Sequence, residues 1–169
     1  MKKNITTLLL FMSLGLFSQQ KTAYSAAWPA DWTLDENTSA LELVLKLQKA
    51  AENSDYTTAR SLFHSDFTAI LSDGSPLNGL VELDAAFKDF INNYKIRIRP
   101  LTWIPLKDKA ADQRWVLLWT YEEYVASDGS SQQLAAHEMF RIENGKIIYL
   151  SQWQSCLLYT SDAATIYSV

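Results

Sequence analysis

From Ser39 to Tyr94 apolar residues recur at the spacing of helices, and from Lys95 onward they alternate at the spacing of strands. Leu41, Leu43, Val44, Leu45, Leu47, Ala50 and Ala51 leave little polar face, which predicts an enclosed first helix over 39–53. Ser39 and Glu42 have the spacing of a capping box at its start. Asn53-Ser54-Asp55 stops this helix and caps a short second one, 55–63, through Tyr56, Ala59, Leu62 and Phe63. A turn at His64–Asp66 leads to a brief strand, Phe67–Leu71, and Ser72–Pro76 is loop. Leu80, Leu83, Phe87, Phe90, Ile91 and Tyr94 then share one face of a third helix, the most regular in the chain.

Four strands follow. Lys95–Leu106 alternates around Ile96, Ile98 and Ile104, and Pro100 and Pro105 mark it as an edge or a bulged strand. Arg114–Ala126 is rich in β-formers and too long to lie flat. Asp128-Gly129 turns it into Gln133–Glu143, and Asn144-Gly145 turns that into Ile147–Gln154; both dipeptides favour the positive φ of hairpin turns. Helices first and a meander after predict an α+β domain, a curved antiparallel sheet wrapped over three helices.

The ends have another character. Lys2 and Lys3 precede an uncharged run, Ile5–Phe17, and small residues follow at Ala23–Ala27. This order predicts a signal peptide over 1–27 and hence an exported protein, periplasmic or extracellular. The run falls short of the roughly 20 apolar residues of a membrane helix, so no stable anchor is expected in the mature chain. Residues 28–38, with Trp28 and Trp32, read as a polar leader. Cys156–Ala164, CLLYTSDAA, resembles a translated transposase adapter of sequencing libraries. That makes 155–169 an expected non-native tail and 39–154 the domain; the alternative is a short native strand carrying Cys156.

Composition narrows the function. The 169-residue chain carries a formal charge of −4, the wrong sign for nucleic acid or an anionic membrane. The single cysteine excludes an internal disulfide, and Arg141 stands where an HExxH motif would need its second histidine. No metal or cofactor is implied.

The element order, closed by His137-Glu-Met-Phe-Arg-Ile-Glu-Asn-Gly-Lys-Ile147, resembles the nuclear transport factor 2-like superfamily over residues 39–154, in particular its polyketide-cyclase-like and ketosteroid-isomerase-like members. The resemblance implies a cone-shaped fold, often dimeric through its sheet, whose mouth admits a small apolar ligand. It covers isomerases, cyclases, dehydratases and non-enzymatic modules. Against ketosteroid isomerases, Glu138 falls at the proton-donating acid, while the catalytic base falls at Leu71 and the tyrosine at Leu47. That chemistry is therefore incomplete.

Glu138 is the candidate catalytic group, a carboxylate on the otherwise apolar face of Leu134, Ala136, Phe140 and Ile142. The rival reading turns it outward or neutralises it with Arg97, Arg99 or Arg141. Alternation then sends His137 outward, and His64 follows a helix end. A two-residue Asp128-Gly129 turn sets Glu138 opposite Trp119 and makes Trp115, Trp119, Tyr121 and Glu123 the inner wall with Phe140. One bulge would reverse that face and leave an aromatic outer patch suited to a second copy. A three-residue Glu143–Gly145 loop aims Leu150 and Gln152 inward; a two-residue loop aims Tyr149 and Ser151. The functional expectation is an exported domain binding a small apolar molecule, with weak acid/base chemistry available through Glu138. The alternatives are a homodimeric interaction module with a filled cone, or an isomerase or lyase.

Overall fold

The computed structural model describes residues 31–156. The expected signal peptide, Trp28–Ala30 and residues 157–169 lie outside the described residues. Ten elements follow in order: β1 (Trp32–Leu34), α1 (Ser39–Glu52), α2 (Tyr56–Ser61), β2 (Phe63–Ile70), β3 (Pro76–Asn78), α3 (Gly79–Asn93), β4 (Tyr94–Asp108), β5 (Gln113–Ala126), β6 (Ser131–Glu143) and β7 (Lys146–Cys156). The α+β expectation holds. The sheet is curved and unclosed, with strand order β1-β4-β5-β6-β7-β2-β3.

Local chemistry explains most boundaries. Asp55 caps α2 by accepting the Thr58 N–H at 3.0 Å. Asn78 precedes α3, and its N–H reaches Glu82 Oε2 at 2.6 Å. The capping box at Ser39 does not form, because Ser39 is already helical and its N–H goes to Asn37 Oδ1 at 2.9 Å. Thr38 takes the cap position, and its hydroxyl donates to Glu42 Oε1 at 2.7 Å. The expected strand 67–71 begins earlier, at Phe63, which pairs in parallel with Ile147 of β7. That tertiary pairing ends α2 at Ser61, where the helical spacing alone would carry it through Phe63.

Two short strands have no counterpart in the hydrophobic pattern. β3 folds back on β2 after the Ser72–Ser75 turn. β1 lies within the expected polar leader and pairs with Lys107 and its neighbours on β4, with Trp32 edge-on to Trp115 at 5.6 Å. The prolines of β4 act as expected: the register shifts between Pro100 and Thr102, and only the last three residues of β4 pair with β1. β7 runs through Ser155 and Cys156, which pair with Ala135 and Leu134.

The core lies between the helices and the concave face. Val44, Phe67, Val116, Leu118, Phe140 and Ile147 are fully buried there, each contributing about 1.5–3 kcal/mol by apolar burial. α1 rests on β4 and β5, and α3 crosses β2, β3 and β4. Only Leu83 of α3 is buried, so that helix covers the sheet without filling the space beneath it.

Candidate functional site

The face that β5 turns inward is set by one loop residue. Gly129 N–H bonds Ala126 O at 3.0 Å, Ala126 N–H bonds Ser130 O at 2.9 Å, and Gly129 has φ +87°. The loop is thus the three residues Ser127–Gly129, with glycine in the left-handed position. Trp119 consequently pairs with His137, and Glu138 pairs with Leu118. Trp115, Trp119, Tyr121 and Glu123, expected on the inner wall, therefore lie on the outer face. Val116, Leu118, Thr120, Glu122 and Tyr124 take the inner one, because a shift of one residue exchanges the faces of a strand.

The second hairpin reaches the expected outcome by another route. Asn144 (φ +49°) and Gly145 (φ +70°) form a two-residue turn, and Glu143 pairs with Lys146. A register shift between Arg141 and Ile142 then restores the inward facing of Leu150 and Gln152, opposite Phe140 and Glu138.

Glu138, Phe140, Leu150 and Gln152 accordingly line a cavity of about 440 Å³ under the helices. Its apolar walls include Leu47, Phe63, Leu71, Leu83, Phe87 and Phe90. The leucines at the ketosteroid-isomerase base and tyrosine positions, Leu71 and Leu47, are both in this wall. Ring edges meet on one side: Tyr124 packs T-shaped against Phe90 at 5.6 Å and Tyr94 at 6.2 Å.

The polar groups form two short chains. Glu138, 5 % exposed, accepts Gln48 Nε2–H at 2.5 Å and Gln152 Nε2–H at 3.2 Å, one on each oxygen. Glu122, 2 % exposed, accepts the hydroxyls of Thr120 (2.8 Å) and Tyr124. Gln154 Nε2–H donates to the Tyr124 oxygen at 3.0 Å and its own oxygen accepts from Ser72 at 3.1 Å. Burial first, and the Glu122 charge second, push the Glu138 carboxyl from 4.5 up to about 8. Burial and then Glu122 also push the Tyr124 phenol up, so it stays protonated and donating.

Glu122, Tyr124, Gln48 and Gln154 were not among the residues expected at the site. The first two were hidden by the turn length. Gln48 was legible: it follows Ala40 and Val44 by successive fours, on the buried stripe of α1.

The outer face holds what the cone does not. His137 stacks between Trp119 (4.5 Å, 5° between planes) and Trp153 (5.4 Å, 25°), turned outward as expected. Glu123 is bound by Arg97 at 3.0 Å, Arg99 lies over the Tyr121 ring, and the Tyr121 hydroxyl donates to Gln133 at 2.6 Å. His64 is half-buried on β2, its Nδ1 accepting the Asp66 N–H at 3.1 Å. No helix among the described residues is long and apolar enough to cross a membrane.

No curated protein sequence matches this chain. Solved structures resemble it at low identity. An LEH-like epoxide hydrolase from M. tuberculosis superposes with a TM-score of 0.61 at 16% identity, over 72% of this chain and 86% of that one. A proposed polyketide cyclase from Xanthomonas campestris pv. campestris gives 0.58 at 13%, over 77% and 96%. A ketosteroid isomerase-like protein from Erwinia carotovora atroseptica gives 0.58 at 12%, over 71% and 98%. At these identities they establish the fold alone. A sequence profile covers most of the domain, residues 44–150, and by that match the chain belongs to the SnoaL-like domain family, of the nuclear transport factor 2-like fold.

Proposed function

We propose that this protein binds a small, largely apolar molecule in its cone, with Glu138 as the polar anchor and the group available for weak acid/base chemistry. The observation that carries the reading is the buried Glu138 carboxyl, turned into a roomy cavity of apolar walls where burial pushes it up to about 8. A filled cone would argue for a purely structural module, and of the aromatics expected on the inner wall, Trp115, Trp119, Tyr121 and Phe140, only Phe140 faces inward. Leu47 and Leu71 weigh against steroid-type isomerisation, since neither can take or give a proton. Structural relatives are named as an epoxide hydrolase and a polyketide cyclase, and for chemistry of either kind Glu138 would supply one acid/base group.

Native mass spectrometry of the protein purified from its source tests this. A small molecule retained by the wild type should fall about tenfold in occupancy in Glu138→Gln, as the loss of one hydrogen bond to a buried polar group implies. If neither form carries a ligand and the variant is only more stable, Glu138 is a structural carboxyl. One observation favours self-association besides: Trp153, at the end of the outer aromatic stack, is 51 % exposed. Export belongs to the same reading on residues 1–27 alone, and N-terminal sequencing of the mature protein checks it.

A further inference from the structure

The cavity's hydrogen bonds are complete, but its charge is not. All four oxygens of Glu122 and Glu138 accept donors: two side-chain amides on Glu138, two hydroxyls on Glu122. These are the partners of ionised carboxylates, because each oxygen accepts and none has an acceptor set before it. Yet among the described residues no Lys, Arg or His lines the cavity. The nearby cations are engaged elsewhere, Arg97 with Glu123 on the outer face and Lys49 with Glu52 on the exposed side of α1. Two buried carboxylates without a counter-charge are costly, and either a proton or a bound cation can relieve them. The walls add a second requirement. Phe87, Phe90, Tyr94 and Tyr124 line the cavity, and aromatic rings attract organic cations while tolerating their apolar bodies.

We infer that the cone's ligand is an organic cation, an amine or quaternary ammonium with an apolar body, whose charged nitrogen sits between Glu138, Glu122 and the rings of Phe90, Tyr94 and Tyr124. This rests on the ligand-binding reading above and specifies its chemistry. The cation replaces the proton that Glu138 otherwise holds near neutrality. Binding therefore converts the Glu138 carboxylic acid to carboxylate and releases one proton to solvent, with no other bond changed. Among the described residues the ionisable groups lining the cavity are Tyr94 at the start of β4, Glu122 and Tyr124 on β5, and Glu138 on β6. α1 and β7 meet Glu138 with Gln48 and Gln152 only.

Calorimetric titration of the full chain with probes of matched size tests it: cyclohexylammonium and benzyltrimethylammonium as cations, cyclohexanone and cyclohexanol as neutral controls. The cations should bind about tenfold tighter than the neutral pair, the scale of a desolvated cation–ring and ion-pair contact. Repeating the titration near neutral pH in buffers of different protonation enthalpy should reveal a proton released per cation. Glu138→Gln and Glu122→Gln, each verified as folded by its melting transition, should both lose the cation preference and the proton release. Should cyclohexanone bind as tightly as cyclohexylammonium, the site is a proton donor to a neutral acceptor; the cation inference then fails while ligand binding stands. If none of the four binds at millimolar concentration, both fail.

Discussion

Glu138 couples the cone to pH. Its carboxyl is raised from 4.5 to about 8, so the folded state holds this proton more tightly than the unfolded chain does. The stability that follows is fully present below 4.5 and is lost as pH rises through about 8. Urea melts across that window should decline by a few kcal/mol in the wild type and stay nearly level in Glu138→Gln. A level wild-type profile would mean that the buried carboxyl is not held neutral. On the acid side the sign reverses. Hydrogen bonds from Thr58, Ser75 and Ser130 hold Asp55, Asp73 and Asp128 below the usual carboxylate range, and their stabilisation disappears as pH falls through those lowered values. At this scale Glu138 was legible, as an acid on an apolar face. Glu122 was not, because an acid's facing depends on the pairing of its strand.

At the scale of elements, the Ser127–Gly129 loop decides which side chains enter the cone. Gly129 has open space where a Cβ would go, so its conformation, φ +87°, is what a substitution must satisfy. Gly129→Ala should destabilise by about 1–2 kcal/mol, and Gly129→Asn by less, since asparagine tolerates left-handed backbone. Chemical denaturation reads both, and equal losses would argue against that conformation. Both turn dipeptides marked hairpins correctly, but neither settled its register. Asp128-Gly129 occupies the end of a three-residue loop, while Asn144-Gly145 makes a two-residue turn corrected by a bulge farther along β7. β1 and β3 escaped notice because three residues carry no usable period, and their pairing depends on partners distant in sequence.

For the whole molecule, the consequence of that register is an aromatic exterior. Trp119, His137 and Trp153 form a stack on the face away from the helices, and the buried His137 Nε2 has no hydrogen-bond partner among the described residues. A second copy laid on this face would cover Trp153. Sedimentation equilibrium of the wild type should then report a dimer, and Trp153→Ser should weaken it about tenfold, the usual scale for an interface aromatic anchor, without lowering the melting temperature of the monomer. A monomeric wild type at high micromolar concentration would leave the stack as surface packing.

The sequence by itself determined the order and kind of the long elements, the α+β class, and the presence of an acid on an apolar strand face. These follow from periodicity and turn chemistry, which act between residues close along the chain. Tertiary structure alone decided that the tryptophans of β5 face out, that Glu122 and Tyr124 join Glu138, and that α3 roofs a cavity instead of filling it. Each depends on strand register and curvature, where one inserted residue costs little locally yet exchanges an entire face between core and solvent.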